Sequence, residues 1–139
     1  MQKLSIEPTR STPEILLNPD ENIFSIRGSS SPEDVRALYY PVIDWIRIFV
    51  DDVLGGEITP FSGDKPLKFK TDLDYFNSSS AKFLYDIFME LKRLSEKDIS
   101  VNVEWYYDKD DGDQKEAGMD IAALVEMEFT FIEKKKQQE

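Results

Sequence analysis

The chain has 139 residues, and 28 acidic side chains outnumber 17 Lys and Arg side chains, which gives a net charge of −11. It contains no Cys and no His. These two absences exclude zinc sites built on those ligands, thiol or imidazole catalysis, and Ser-His-Asp hydrolases. Because 40% of the residues are hydrophobic, the chain has the material for one core, and we expect a single domain over residues 1–139.

Charge and hydropathy also limit the expected partners and location. Strong negative charge repels phosphate backbones, so we expect no nucleic acid partner. The N-terminus lacks the apolar segment of a signal peptide, and no apolar run approaches the roughly 20 residues that span a bilayer. The sequences GxxxxGK[ST] and GxGxxG are absent, so no nucleotide cofactor is expected. We therefore expect a soluble, cytoplasmic protein with no cofactor and no membrane partner.

The first part of the chain predicts a hairpin followed by a long helix. Residues 14–17 and 23–26 read as strands joined by the turn-forming cluster 18–22, whereas residues 1–11 are expected to be loosely ordered. Ser31 then caps a helix, and an apolar stripe continues until Gly55 and Gly56 end it. Pro41 lies inside this helix, so we expect a kink or short break near residues 37–40.

Alternating hydrophobicity predicts three further strands in the rest of the chain. One face of the first carries Leu67, Phe69, Leu73 and Tyr75, and the other carries Lys68, Lys70, Asp72 and Asp74. The inward residues of the next two are Val101, Val103, Trp105 and Tyr107, then Val125, Met127, Phe129 and Phe131. Helices over residues 81–97 and roughly 114–124 separate the strands, which requires parallel crossovers. The pattern predicts a two-layer α/β sandwich with a mixed sheet of about five strands, helices mainly on one face, and a loosely ordered tail at 134–139.

Three serines, Ser78 to Ser80, follow Asn77 at the junction between a predicted strand and a predicted helix. One hydroxyl is explained by capping of a helix N–H group, but three exceed that need. A phosphate at this position could be held by the free N–H groups of the helix N-terminus and by Lys82. Two interpretations stay open from the residues alone: a Ser-rich N-cap, or a phosphorylation site that switches a binding surface.

An acidic run made of Asp108, Asp110, Asp111 and Asp113 follows a predicted strand. Carboxylate oxygens are suitable ligands for Mg²⁺ or Ca²⁺, which leaves a Mg²⁺-dependent hydrolase as an alternative function. The spacing does not fit an EF-hand loop, because Lys109 would take the second ligand position. We therefore expect a solvated loop with no metal, in which Asp113 caps the next helix and the acids are available to a basic partner.

Aromatic side chains in the segment WYY at 105–107 alternate between the two faces of their strand. Most rings in this pattern belong to the core, but Tyr106 faces the polar side of the sheet. Exposed aromatic residues are favoured at interfaces, so Tyr106 is a candidate partner contact.

Taken together, the motifs resemble the SiaC-type family of bacterial regulatory phosphoproteins, which are similar to anti-sigma-factor antagonists. The resemblance covers almost the whole chain and rests on five segments in order: TPE at 12–14, GSSSPED at 28–34, YYP at 39–41 with Trp45, YFNSSSAK at 75–82, and WYYD at 105–108 with EAG at 116–118. It implies a non-catalytic protein with a sheet flanked by helices and a phosphoacceptor at a helix N-terminus.

The resemblance also implies a signalling circuit. In the family, a protein kinase of the histidine-kinase-like ATPase type phosphorylates the protein, and a PP2C-like phosphatase reverses this modification. The unmodified form binds and activates a diguanylate cyclase, which controls cyclic di-GMP and biofilm formation. A constitutive scaffold that is never phosphorylated remains the third alternative.

The family motif maps residue by residue onto the serine turn. The usual acceptor is the Thr after Asn in Tyr-Phe-Asn-Thr-Ser-Ser-Ser-Lys, which corresponds to Ser78, with Ser79 as the alternative. This chain departs from the motif twice, since Ser replaces the acceptor Thr and Ala81 replaces the last Ser. The residues expected to contact partners are Tyr75, Asn77, Ser79, Ser80, Lys82, Tyr106 and Asp108.

Overall fold

A computed structural model describes residues 1–57, 61 and 64–135 of the chain. Six strands and three α-helices follow one another in these residues: β1 (Leu4–Ile6), β2 (Glu14–Asn18), β3 (Ile23–Ser30), α1 (Val35–Leu54), β4 (Leu67–Phe76), α2 (Ser78–Ser95), β5 (Val101–Asp108), α3 (Gly112–Val125) and β6 (Phe129–Lys134). Within this part of the chain, no helix combines the length and apolarity needed to cross a bilayer.

The strands lie in the sheet in their chain order. β1, β2 and β3 pair antiparallel, whereas β3, β4, β5 and β6 pair parallel. Each parallel pair is joined through a helix, and because such crossovers are right-handed, all three helices lie on the same face of the sheet. The predicted two-layer α/β sandwich and the N-terminal hairpin are confirmed, with six strands instead of about five.

The additional strand is β1, in a segment that was expected to be loosely ordered. It pairs with β2 from Leu4 opposite Leu17 to Ile6 opposite Ile15, and Leu4 and Ile6 pack against the core. The indole Nε1 of Trp45 donates a hydrogen bond to the carbonyl of Gln2 at 2.9 Å. A three-residue strand has too short a pattern to be recognised, since its order comes from pairing with β2.

The core lies between the helices and one face of the sheet. Its largest fully buried side chains are Trp105, Tyr39, Phe49, Phe69 and Phe88. The opposite face of the sheet, which we call the open face, carries polar side chains such as Lys68, Lys70 and Tyr106, as the alternation predicted. The sheet therefore has one packed face and one solvated face.

Helix α1 differs from the prediction at its start and at Pro41. Its N-cap is Asp34, whose carboxylate accepts a hydrogen bond from the N–H of Ala37 at 3.1 Å, and Ser31 lies outside the helix. A kink or a short break was expected near residues 37–40; the helix continues through Pro41, so the break is wrong. Ala37 and Pro41 are both exposed, so water can satisfy the carbonyl that loses its partner at proline. Gly55 ends the helix as predicted.

The C-terminal elements also begin and end at different residues from those predicted. Val125 is the last residue of α3, and β6 begins only at Phe129. The N-cap of α3 is Asp111 instead of Asp113, since its carboxylate accepts the N–H of Gln114 at 3.0 Å. Lys134 belongs to β6 and so is not part of a loose tail, whereas residues 136–139 lie outside the described residues.

Candidate functional site

The junction between β4 and α2 begins with a β-bulge. Gly28 of β3 lies opposite Leu73, but the next residue, Ser29, lies opposite Tyr75, which leaves Asp74 as an extra residue in β4. Gly28 has a φ of +118°, a backbone conformation that residues other than glycine rarely adopt. A bulge shifts the alternation by one residue, so every side chain beyond it changes face.

The bulge turns Tyr75 outward and Phe76 inward. Tyr75 is 55% exposed, although the simple alternation placed it beside Leu73 on the core face. Phe76 instead packs edge-on against the ring of Trp105, with 5.9 Å between the ring centroids. Tyr75 is therefore available to a partner, as the resemblance implied and as the strand pattern alone did not.

Asn77 organises the start of α2. Its side-chain oxygen accepts a hydrogen bond from the N–H of Ser80 at 2.9 Å, and its own N–H donates to the carbonyl of Ser30 at 3.0 Å. The helix consequently begins at Ser78, three residues before the predicted start at Ala81. Asn77 is thus the N-cap, and none of the three serines has that role.

The three serines occupy the first three positions of the helix and differ in accessibility. Ser78 and Ser79 are exposed, whereas Ser80 is fully buried. In the part of the chain that the structure describes, the backbone N–H groups of Ser78 and Ser79 have no acceptor, as expected for the first turn of a helix,. The expectation that Ser80 contacts a partner is wrong, because its side chain lies beneath this turn.

Ser80 takes part in a buried chain of hydroxyl groups with Ser30 and Tyr39. The Ser80 hydroxyl donates to the carbonyl of Ser30 at 3.1 Å. Its oxygen lies 2.8 Å from the hydroxyl of Ser30, which in turn lies 2.6 Å from the hydroxyl of Tyr39. Each hydroxyl has only one proton to donate, so the direction is fixed: Tyr39 donates to Ser30, and Ser30 donates to Ser80.

Ser30 and Tyr39 were not predicted as site residues, although the strand pattern indicates that Ser30 is buried. The alternation that buries Phe24 and Ile26 continues inward to Ser30 at the end of β3. Burial raises the pKa of Tyr39, while the neighbouring hydroxyls of Ser30 and Ser80 act in the opposite direction. Tyr39 therefore remains a neutral donor at physiological pH.

Lys82 lies one helical turn after Ser78 and is exposed. Its ammonium group is 3.5 Å from the carboxylate of Asp86 and 5.2 Å from the centre of the Phe83 ring. Side chains four residues apart on a helix share one face. Lys82 is therefore placed on the same side of α2 as Ser78, and its exposed pairing with Asp86 constrains it only weakly.

Tyr106 and Asp108 belong to a different part of the surface, on β5. Tyr106 lies on the open face, where its hydroxyl donates to Glu104 at 3.1 Å. Burial raises the pKa of Tyr106, as do the charge of Glu104, the hydrogen bond to it, and the charge of Asp72. Asp108 is exposed at the end of β5, where it pairs in register with Lys134 of β6. The structure therefore divides the candidate residues between the β4–α2 junction and the β5 side of the sheet.

Lys134 links the two regions electrostatically. Its ammonium group lies 2.8 Å from Asp72 and 3.4 Å from Asp74, on the bulged strand. Burial lowers the pKa of Lys134, but the hydrogen bond to Asp72 and the charges of Asp72, Asp108 and Asp74 outweigh this effect, so the pKa lies above its usual value. Lys134 of the edge strand β6 is thus paired with Asp74, the extra residue of the bulge.

The acidic loop is arranged as a helix cap and a solvated turn. Asp111 is committed to the N-cap of α3, while Asp108, Asp110 and Asp113 are exposed. Among the described residues, no group of three or more acidic side chains is arranged to hold a metal ion. This geometry gives no support to the alternative of a Mg²⁺-dependent hydrolase.

Comparison with known proteins identifies the family. The model of the SiaC family of regulatory phosphoproteins matches residues 6–134. The chain belongs to the SiaC family. An uncharacterized protein of Pseudomonas aeruginosa (strain UCBPP-PA14) is 33% identical over 109 residues, which are 78% of this chain and 79% of that protein.

Solved structures of SiaC-family proteins share the fold. The crystal structure of apo-SiaC from P. aeruginosa matches with a TM-score of 0.79 at 29% identity, over 95% of this chain and 99% of that one. A second match is a chain in the crystal structure of the diguanylate cyclase SiaD in complex with its activator SiaC, also from P. aeruginosa. Its TM-score is 0.80 at 28% identity, over 94% of this chain and 99% of that one. The resemblance inferred from the five sequence segments is confirmed at the level of family and fold.

Proposed function

We propose that this SiaC-family chain is a non-catalytic switch in the cytoplasm, whose unmodified form binds and activates a diguanylate cyclase. Phosphate on Ser78 prevents this binding. The kinase is of the histidine-kinase-like ATPase type, and a PP2C-like phosphatase restores the active form. The output is control of cyclic di-GMP and of biofilm formation.

The observation that carries this proposal is the exposed hydroxyl of Ser78 at the first position of α2. The N–H groups of Ser78 and Ser79 have no acceptor among the described residues. A phosphate adds about −1.5 to −2 charges and three strong acceptor oxygens. The N-terminus of a helix favours such an anion, and Lys82, one turn further on, adds a cation.

The choice of a diguanylate cyclase as partner rests on the related complex. P. aeruginosa SiaC is the activator of the diguanylate cyclase SiaD, and the likeness to that SiaC extends over 94% of this chain. Since the fold is retained over almost the whole length, we assign the same class of partner. The contact surface consists of the exposed Tyr75, Ser79 and Lys82 around Ser78, with Asn77 acting through the cap, and extends toward Tyr106 and Asp108.

Phosphate on Ser78 acts locally, without a large conformational change. A docked partner must displace water from the new dianion, and Asp74, four residues earlier in the chain, is another exposed negative charge. Lys134 lies closer to Asp72, at 2.8 Å, than to Asp74, at 3.4 Å, so the charge of Asp72 is neutralised more completely. A coupling free energy of about 3 kcal/mol corresponds to roughly 150-fold weaker binding, which is sufficient for a switch.

Binding to a purified cyclase tests the switch. The probe is P. aeruginosa SiaD or the cyclase from the chain's own genome, and the chain carries phosphoserine, Ala or Asp at position 78. We expect Ser78→Ala to bind and activate like the unmodified chain, Ser78→Asp to bind more weakly, and phosphoserine to bind about 150-fold more weakly. Ser79→Ala and Ser79→Asp test the alternative acceptor in the same assay. Equal affinity for all position-78 forms would instead support a constitutive scaffold.

The modified hydroxyl is identified separately by intact-mass analysis after treatment with the kinase. We expect Ser78→Ala to lose the phosphate and Ser79→Ala to retain it. The opposite result would move the acceptor to Ser79 and leave the switch itself intact.

A further inference from the structure

The buried hydroxyl groups beneath residues 77–80 are not explained by the fold alone. Tyr39 belongs to α1, Ser30 to the end of β3, and Ser80 to α2, so the chain of hydrogen bonds joins three separate elements. Buried hydroxyls cost free energy unless they are fully paired. Apolar side chains would fill the same space without that requirement, so the polar chain calls for a role beyond packing.

Both ends of residues 77–80, which we call the acceptor turn, are attached to Ser30. Its carbonyl accepts the N–H of Asn77 at 3.0 Å and the hydroxyl of Ser80 at 3.1 Å. Asn77 and Ser80 are also joined to each other through the cap at 2.9 Å. The two exposed serines, Ser78 and Ser79, therefore lie between two fixed residues. Their hydroxyls point from a turn that cannot rearrange without breaking buried hydrogen bonds.

Tyr39 supplies the first proton of the chain and fixes Ser30 in place. Without its donation, the buried oxygen of Ser30 loses the hydrogen bond that it accepts, so the Ser30 hydroxyl and its bond to Ser80 are held less firmly. The ring of Tyr39 is stacked on that of Phe83 in α2, with centroids 5.4 Å apart and planes 7° apart. Removal of the hydroxyl alone therefore leaves the ring packing in place.

We propose that Tyr39 and Ser30 are positioning residues for the acceptor turn, and that with Ser80 they restrict modification to Ser78 and Ser79. The third serine is excluded because its proton is committed and its side chain is fully buried. The choice of Ser78 as the modified residue rests on the proposed function. The hydroxyl chain itself, and its effect on the turn, do not depend on it.

Hydrogen exchange of single amides, measured by NMR on the unmodified protein, tests the positioning directly. In the wild type, we expect protection at Asn77 and Ser80 and fast exchange at Ser78 and Ser79. Tyr39→Phe should reduce the protection at Asn77 and Ser80 by about fivefold to tenfold, the effect of losing one buried hydrogen bond.

The neighbouring Tyr40 provides the matched control. Tyr40 is 52% exposed and lies outside the hydroxyl chain. Tyr40→Phe therefore removes an equivalent tyrosine hydroxyl without removing a hydrogen bond of the acceptor turn. A core amide, that of Phe69, reports on global stability. If Tyr39→Phe changes the turn no more than Tyr40→Phe does, or lowers protection equally at Phe69, the hydroxyl chain is only structural and the inference falls.

Phosphorylation kinetics give the second readout, with the histidine-kinase-like kinase as the reagent. If the acceptor hydroxyl is less well positioned for phosphoryl transfer, kcat falls, whereas KM stays the same because the docking surface is unchanged. We therefore expect about a fivefold fall in kcat for Tyr39→Phe. Phosphate on Ser80 of the wild type, or an unchanged kcat, would overturn the inference. If no serine of the turn is ever modified, the proposed function fails, and the exchange experiment still decides the role of the hydroxyl chain.

Discussion

Gly118 in the middle of α3 provides a sharp test of how the helix layer is packed. A Cβ atom at this position would lie 2.5 to 2.6 Å from three atoms of the Trp105 indole, where ordinary contact is 3.4 to 4 Å. The indole cannot simply move, because its Nε1 donates to the carbonyl of Gln114 at 3.0 Å. Phe129 also stacks on it, with ring centroids 6.1 Å apart. For Gly118→Ala, α3 must therefore shift away from the sheet by about 1 Å, an overpacking change.

The expected magnitude follows from two opposing contributions. Overpacking of a dense core costs about 1 to 3 kcal/mol, and replacing Gly by Ala inside a helix gains up to about 1 kcal/mol. Because the shortest contact would be 2.5 Å, the cost lies in the upper half of that range, and we expect Gly118→Ala to lower the free energy of unfolding by about 1 to 2 kcal/mol. Denaturation in urea measures this value, and an unchanged slope against urea shows that the variant still unfolds in one step.

Gly112 in the same helix is the matched control for this substitution. A Cβ at Gly112 meets no atom within 4 Å, so Gly112→Ala should change the free energy of unfolding by less than about 1 kcal/mol. In a Trp105→Phe background, which opens the space above the helix, the penalty at Gly118 should shrink. If both glycine substitutions have the same effect, or if Trp105→Phe does not reduce the penalty, the close approach of α3 to Trp105 is wrong.

Three further predictions concern single side chains. The Oγ1 atom of Thr71 is buried and has no partner in the described residues, so Thr71→Val should raise the free energy of unfolding by about 1 kcal/mol in urea denaturation; a less stable variant would show that the hydroxyl is paired. Asp111→Ala should cost about 1 kcal/mol, because it removes the cap of α3, whereas Asp113→Ala should cost much less. The pKa values of Tyr39 and Lys134 are raised in the folded protein. Their contribution to the free energy of unfolding is therefore complete below the unfolded pKa values of about 10 and 10.4, and it is lost as the pH rises through the folded pKa values. The free energy of unfolding should therefore fall as the pH rises above about 10, with a shallower fall in Tyr39→Phe, and a flat profile would contradict the shifts.

The layer architecture could be predicted from the sequence because it depends on long, regular patterns. The alternation from Leu67 to Leu73 and the apolar stripes of the helices each repeat several times, so that one irregular residue does not hide them. Parallel crossovers then fix the side on which the helices lie. The strand β1 has only three residues and depends on its partner β2 for order. No local pattern could have predicted it.

Helix starts were predicted less well, for a common physical reason. Around Ser31 and Asp34, and again around Asp111 and Asp113, two residues with capping side chains lie close together. Local sequence cannot decide between them, because the choice depends on which N–H group each oxygen reaches in the folded chain. The same ambiguity at Asn77 and the three serines shifted the predicted start of α2 by one turn.

The errors at the end of β4 concentrate where the proposed function lies. The alternation placed Tyr75 in the core, because β4 itself contains no local signal of the bulge. The bulge lies opposite Gly28 of the neighbouring strand, whose φ is positive. That single inserted residue exposes Tyr75 and turns Phe76 toward the core, and it brings Asn77 to the position where the carbonyl of Ser30 can accept its N–H. A regular strand would have continued the ladder and placed the serines on the other side. Local rules fail most often at functional sites, and here the departure from regular pairing is what gives the acceptor turn both its exposure and its buried anchor.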